Sequence, residues 1–372
     1  MPNNRIRIAR ARAASTRIAR PLLRWYDRSK RDLPWRRDPT PYKTLVSEIM
    51  SQQTAVATVG PYFERFLQRF PALGSLAAAT DDEVTALWSG LGYYARARNL
   101  RRAAAVVVAE HGGELPRTEA ELRGLPGVGP YTAAAVAAIA FGARAFALDG
   151  NAMRVLTRLY RVGTRIDLPS TRARLHALGL AEVPRGRAGD FNQAVMELGA
   201  TVCTPRQPRC EVCPLRAVCR ARAAGVAESL PRRATRAARP IVRVVCVCVT
   251  DGARVLMVKR PAGLLAGTWA LPDDESVGGA VPPAEVARRV AARAGVRADA
   301  LEYRGAVRHV FTHRDVTAEV YRIEVPARDP SVPGRRWVAA AGLASLGVSS
   351  FTRKTIALGG SFAKQDRAEV RP

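Results

Sequence analysis

No apolar run in this 372-residue chain approaches the roughly 20 residues that span a membrane as a helix, and even the stretch from Ala133 to Phe141 falls well short. A helical membrane span is not expected. Acidic residues are scarce, with 32 Asp and Glu against 59 Lys and Arg, a formal charge of +27 that runs through the whole chain. So basic a balance points to a polyanion as partner, beyond the contribution of an Arg- and Ala-rich genome. Residues 1–21 contain no acid at all and read as a basic flexible arm, with a mitochondrial transit peptide as the second reading. Cysteine occupies six positions, four clustered and two on one strand, which is no secreted disulfide framework. A reducing compartment follows. The length allows two or three domains with cores of their own.

What is present centres on residues 119–151. Thr118 and Glu121 form a capping box, so a short helix begins there and stops at Gly124, before Pro126; a second helix opens at Pro130. The connector Leu125-Pro126-Gly127-Val128-Gly129 has glycines where a tight turn and close approach of a ligand to backbone N–H groups require them. It reads as an anion-binding nest, or as an ordinary helical hairpin with a glycine turn. Beyond it, Asp149 is placed to cap a helix running from Ala152 to Arg161. A helix N-terminus also keeps a carboxylate ionised.

Upstream, residues 44–59 read as one helix whose apolar stripe of Leu45, Ile49, Val56 and Val59 also contains Glu48 and Gln52. An acid on an apolar face is costly. Burial predicts a raised pKa for Glu48, and a buried Arg partner is the alternative. Gly60-Pro61 breaks this pattern and starts another helix through Phe70, and Thr80 with Glu83 caps the next. Gly90-Leu91-Gly92-Tyr93-Tyr94, followed by Arg96, Arg98, Arg101 and Arg102, reads either as a wedge between base pairs beside phosphate-binding arginines or as a buried loop anchor.

Cys203, Cys210, Cys213 and Cys219 follow at C-x6-C-x2-C-x5-C, a spacing that serves a [4Fe–4S] cluster or a four-cysteine zinc. Residues 221–240 lose periodicity and read as a linker. Strand patterning begins only after it. Val242–Thr250 and Arg254–Lys259 flank an Asp251-Gly252 turn, with Cys246 and Cys248 on one strand face. A helix at 283–294 and strands near 306–311 and 316–323 complete an α+β module.

Taken together, these segments resemble the MutY type of adenine DNA glycosylase over nearly all of residues 22–351. The resemblance implies a mainly α glycosylase domain at 22–222 with a helix-hairpin-helix and a [4Fe–4S] loop, a linker at 223–240, a Nudix-like domain at 241–360 and a tail at 361–372. The endonuclease III type is the rival, since it shares the hairpin and the cysteine spacing. Its bifunctional members carry a lysine nucleophile where this chain has Tyr131. The Nudix signature Gly267-Thr268-Trp269-Ala270-Leu271-Pro272 is present, but the metal-binding acids of that fold's helix are replaced by Arg289, Ala292 and Arg293. Pyrophosphatase chemistry is therefore not expected.

The resemblance also implies the roles of single residues. Glu48 would protonate N7 of a flipped adenine, and Asp149, supported by Tyr131 and Asn151, would stabilise the oxocarbenium-like sugar. Trp35 and Arg36 would line the pocket, Gln193 would touch the adenine, and Gln53 and Thr54 the opposite base. Leu91 and Tyr93 would form the wedge, Gly127 and Gly129 the phosphate nest, and Phe311-Thr312-His313 the reader of 8-oxoguanine. The implied substrate is double-stranded DNA holding 8-oxoguanine:A or G:A, acted on by a monomer in the bacterial cytoplasm, at the nucleoid. A bifunctional glycosylase/lyase and a non-catalytic damage-binding protein are the competing classes.

Overall fold

The computed structural model describes residues 17–235, 237–275, 281–326 and 333–360. The arm before residue 17 and the tail from residue 361 lie outside the described residues. No described helix is long and apolar enough to cross a membrane. Two compact units result. One holds the described part of residues 1–67, 72–74 and 103–236, the other that of 68–71, 75–102 and 237–372.

The first unit is helical. Its opening helix, α1, covers residues 17–29, so the end of the expected arm is already folded, with Ile18 and Ala19 buried. Then come α2 (Pro34–Arg37), α3 (Pro41–Ser51) and α4 (Val56–Arg69). The single helix expected over 44–59 is interrupted at Gln52–Ala55, where Gln53 takes a left-handed φ of 57°. Gly60-Pro61, expected to break a helix, lies inside α4. A residue before proline is pushed from helical geometry chiefly through its Cβ, and Gly60 has none.

Both capping boxes form. Thr80 and Glu83 start Asp81–Leu87, numbered α6 after the short α5 (Leu73–Ala77), and α7 (Ala95–Glu110) follows it. Thr118 and Glu121 start α8 (Glu119–Leu122). Pro130 opens α9 (Pro130–Phe141), apolar on every side and buried through most of its length. It packs against α3 and against α12 (Ala188–Thr201), while α12 also packs against α10 (Gly150–Tyr160). Gly199 permits this last approach, since a Cβ there would meet Asn151 Cβ at 2.6 Å. Between them runs α11 (Pro169–Glu182), and α13 (Arg220–Ala223) follows the cysteine loop.

The expected linker is only partly one. Leu230 is buried, its carbonyl accepts from Arg158 Nε at 2.9 Å, and Arg232 O accepts from Ile166 N at 3.0 Å. The chain through Ala234, whose N–H reaches Asp167, thus stays hydrogen-bonded to the helical unit. A buried apolar anchor and paired carbonyls outweigh the lack of periodicity.

The second unit is built on a sheet of seven described strands, in order β3 (Trp269–Ala270), β2 (Arg254–Lys259), β1 (Ile241–Thr250), β6 (Asp315–Glu324) and β5 (Glu302–Val310), with β4 (Asp273–Asp274) on β1 and β7 (Arg335–Ala339) on β2. Strands β1 and β6 run parallel over ten residue pairs; β2, β3 and β5 pair antiparallel with their neighbours. The β1–β2 turn spans Asp251–Ala253, one residue more than its Asp-Gly signal suggests. Val245, Val247 and Val249 pack toward α14 (Pro283–Arg293), and Cys246 and Cys248 pack on the other face with Phe351 and Ile356 of α15 (Ser350–Gly359). A strand covered on both faces reads as a continuous apolar run.

By their contacts, residues 75–102 group with this unit. Asp82 meets Lys259 Nζ at 2.8 Å and Trp269 Nε1 at 3.2 Å, and Val348 O accepts from both Ser89 Oγ and Tyr94 OH.

Candidate active site

Helix α3 is capped by Thr40 and opened by Pro41, and it carries Glu48 to the wall of a cavity of about 190 Å³ shared with Trp35, Arg36, Lys30 and Gln193. Glu48 Oε2 accepts a 2.6 Å hydrogen bond from Tyr131 OH on α9. Burial pushes the Glu48 carboxyl up to about 7; the Tyr131 hydrogen bond and Arg36 pull it down, while the charge of Asp149 pushes it further up. The raised pKa read from the helix wheel is therefore present. Gln52, the other polar residue of that stripe, donates to Thr132 Oγ1 at 2.9 Å.

Asp149 caps α10. Its Oδ1 accepts from Ala152 N at 2.6 Å and its Oδ2 from Asn151 Nδ2 at 2.8 Å. Burial raises its pKa, against the backbone N–H groups of Ala152 and Asn151, the Asn151 amide and Arg154. The helix terminus alone does not decide the matter. Of the two expected supports for Asp149, Asn151 hydrogen-bonds it directly, while from α9 the Tyr131 hydroxyl reaches across to α3 and donates to Glu48.

Arg154, Arg31 and Glu197, which sequence reasoning missed, frame the site together with the expected Arg36. Arg154 donates to Asn151 Oδ1 at 2.7 Å, to Gly199 O at 2.7 Å and to Cys203 O at 2.7 Å, so the cysteine loop and the Asp149 cap share one guanidinium. Arg36 donates to Gln193 Oε1 at 3.0 Å and to Glu197 Oε2 at 2.9 Å, and Arg31 also holds Glu197. The available signal was the one that exposed Glu48, a charge in an apolar stripe. Arg154 and Arg158 sit four apart among Val155, Leu156 and Leu159, and Glu197 sits between Val195 and Leu198.

The four clustered cysteines line one small cavity together with Arg158, Arg209, Arg216 and Arg222. Burial and the neighbouring thiols push Cys213 up to about 11. Arg158, itself buried, donates to Cys203 Sγ at 3.3 Å. Yet among the described residues no three His, Cys, Asp or Glu side chains converge tightly enough for a single metal ion.

The hairpin forms as read, with Gly127 at φ 75° and Gly129 as the N-cap of α9; a Cβ at Gly129 would meet nothing within 4 Å, so its backbone is open to approach. Gln53 is exposed and Thr54 half-buried in the loop between α3 and α4.

Within the second unit, Leu91 is buried, as the loop-anchor reading has it, Trp88 Nε1 donates to Gly92 O at 3.2 Å, and Tyr93 is the exposed aromatic of the loop. Tyr93 has a left-handed φ of 51°, and its hydroxyl shares a hydrogen bond with Thr312 Oγ1. Both line a cavity of about 360 Å³ with Phe311, His313, His309 and Arg98. Where Nudix acids would stand, Arg289, Ala292 and Arg293 are exposed on α14.

Residues 46–178 match the HhH-GPD superfamily of base excision DNA repair proteins, and residues 244–358 match the NUDIX domain. The adenine DNA glycosylase of Homo sapiens is 38% identical over 90% of this chain and 72% of its own length. The chain belongs to the adenine DNA glycosylase family. The Mycolicibacterium smegmatis adenine DNA glycosylase is 43% identical over 58% of this chain and 73% of its own. A solved thermostable thymine-DNA glycosylase superposes with a TM-score of 0.53, at 30% identity over 57% of this chain and 99% of its own.

Proposed function

We propose that this base-excision-repair adenine DNA glycosylase removes adenine paired with 8-oxoguanine or guanine, hydrolysing the N-glycosidic bond without cutting the strand. The observation that carries the chemistry is Glu48, a carboxyl raised to about 7 and held by Tyr131 at the wall of a cavity that Gln193 and Arg36 share. Adenine leaves poorly as an anion, so a proton delivered to N7 by Glu48 lowers the barrier. Asp149, fixed by two donors at a helix N-terminus, stabilises the positive charge that develops on the sugar. Two carboxylates in different settings thus take acid and charge-stabilising roles.

Tyr131 stands where a lyase would need its amine, which supports the monofunctional reading. Tyr93, Phe311, Thr312 and His313 around one cavity support readout of the oxidised guanine there. Gly127 and Gly129 offer backbone N–H groups to a phosphate, and Gln53 and Thr54, in the loop between α3 and α4, would contact the opposite base.

Cys203, Cys210, Cys213 and Cys219 would hold a [4Fe–4S] cluster. The C-x6-C-x2-C-x5-C spacing, the soft donors and the surrounding arginines that offset thiolate charge support this reading over zinc. Bound there, the cluster would brace the loop between Cys203 and Cys219. The reading further includes action as a monomer at the bacterial nucleoid.

Single-turnover release of adenine from duplexes holding 8-oxoguanine:A and G:A, beside thymine glycol, tests this function. Release from the first two and none from the third is expected. A borohydride-trapped adduct lost on Lys30→Ala, the amine nearest this cavity, would overturn the monofunctional assignment.

A further inference from the structure

Glu197 lies one helical turn beyond Gln193 on α12, with its side chain 1% exposed. A carboxylate this deeply buried is costly unless every oxygen is met. Arg31 meets Oε1 through Nε at 2.6 Å and Oε2 through Nη2 at 3.1 Å, while Arg36 Nη2 meets Oε2 at 2.9 Å. These charges hold the Glu197 pKa below the ordinary glutamate value against its burial.

Arg36 is then fixed on three sides. Its Nη1 donates to Arg31 O at 3.1 Å, and its Nε donates to Gln193 Oε1 at 3.0 Å. A guanidinium has donors only, so the Gln193 amide must turn its oxygen to Arg36. Its NH2 group therefore points the other way, at the cavity wall that Gln193 shares with Glu48.

We infer that Glu197 is a positioning residue for base selection: through Arg36 it locks Gln193 in one amide orientation and presents a hydrogen-bond donor to the bound base. The inference rests on the adenine-excising reading and adds the polarity of the readout. A base with a ring-nitrogen acceptor at that edge is favoured, and one with an N–H there is met donor to donor. Without Glu197 only Arg31 O still holds the Arg36 fork, and the loosened amide can present either group.

The test compares single-turnover excision of adenine, 1-deazaadenine and 3-deazaadenine opposite 8-oxoguanine; both analogues keep the N7 that Glu48 would protonate. The native protein should lose about tenfold on whichever analogue lacks the acceptor facing Gln193. Glu197→Gln should slow adenine by a similar factor and flatten the difference between the analogues, and adding Gln193→Ala should cost little more. Glu197→Asp should restore part of the discrimination. Arg36→Lys keeps a cation beside Glu197 but loses the fork, and should flatten the analogues even if Glu197→Gln fails to fold. If native discrimination survives in Glu197→Gln and Arg36→Lys, or if Glu197→Gln slows all three bases equally and additively with Gln193→Ala, the positioning role is wrong. If the native protein releases no adenine at all, the parent reading fails instead.

Discussion

Tyr131 gives its hydroxyl hydrogen bond to Glu48 at 2.6 Å, so Glu48 is the carboxyl that this phenol contacts directly. With Glu48 as the acid, the excision rate should fall as pH rises through about 7, where its carboxyl loses the proton, and should fall again at low pH as Asp149, its own pKa raised by burial, becomes neutral. Because the hydrogen bond lowers the Glu48 pKa, Tyr131→Phe should move the upper limb to higher pH. Rate profiles that coincide for the two proteins would remove Tyr131 from this role.

Glu48→Gln should abolish excision and leave duplex binding intact. It should also stabilise the fold. A carboxyl raised from the ordinary 4.5 to about 7 binds its proton more tightly in the folded than in the unfolded state. Its burden is absent below about pH 4.5, grows as pH rises, and levels off above 7 at roughly 3 kcal/mol. Thermal unfolding should show the variant's gain at pH 8 and little of it at pH 5.

Asn151→Ala removes the donor to Asp149 Oδ2. A hydrogen bond to a charged group contributes about 1.5–3 kcal/mol, so excision should slow roughly ten- to hundredfold at unchanged substrate affinity. Weaker binding with an unchanged single-turnover rate would reassign Asn151 to the DNA surface.

Thr312→Val and Tyr93→Phe break the same hydrogen bond from opposite ends. Each should cut the preference for 8-oxoguanine:A over G:A by about tenfold, and the double variant no further. Fully additive losses would mean that the two side chains read the DNA separately.

Iron and sulfide analysis of the purified protein should find both, and Cys210→Ser should reduce them together with duplex affinity. Zinc without iron would refute the cluster.

Most of what was legible in the sequence is local chemistry. Both capping boxes, the Pro130 helix start and the Asp149 cap depend on residues three or four apart, and each forms as read. Glu48 betrayed itself because a charge in an apolar stripe is visible without knowing the partner. Partners were another matter. Nothing near Tyr131 in the chain tells whether its hydroxyl turns to residue 48 or to residue 149. Nor does anything near Leu230 announce that Arg158, 72 residues away, will hold its carbonyl. Leu91 was ambiguous for the same reason, since only the fold decides which apolar residue of a glycine loop is turned inward.

The hydrogen bonds between residues 89–94 and Val348 set an order in time. Ser89 and Tyr94 leave the ribosome some 250 residues before Val348, whose carbonyl accepts from both. At typical synthesis rates of about 5–20 residues per second, that is a delay of roughly 12–50 s. Both bonds therefore form only after almost the whole chain has been made, and a stop before residue 348 removes them together.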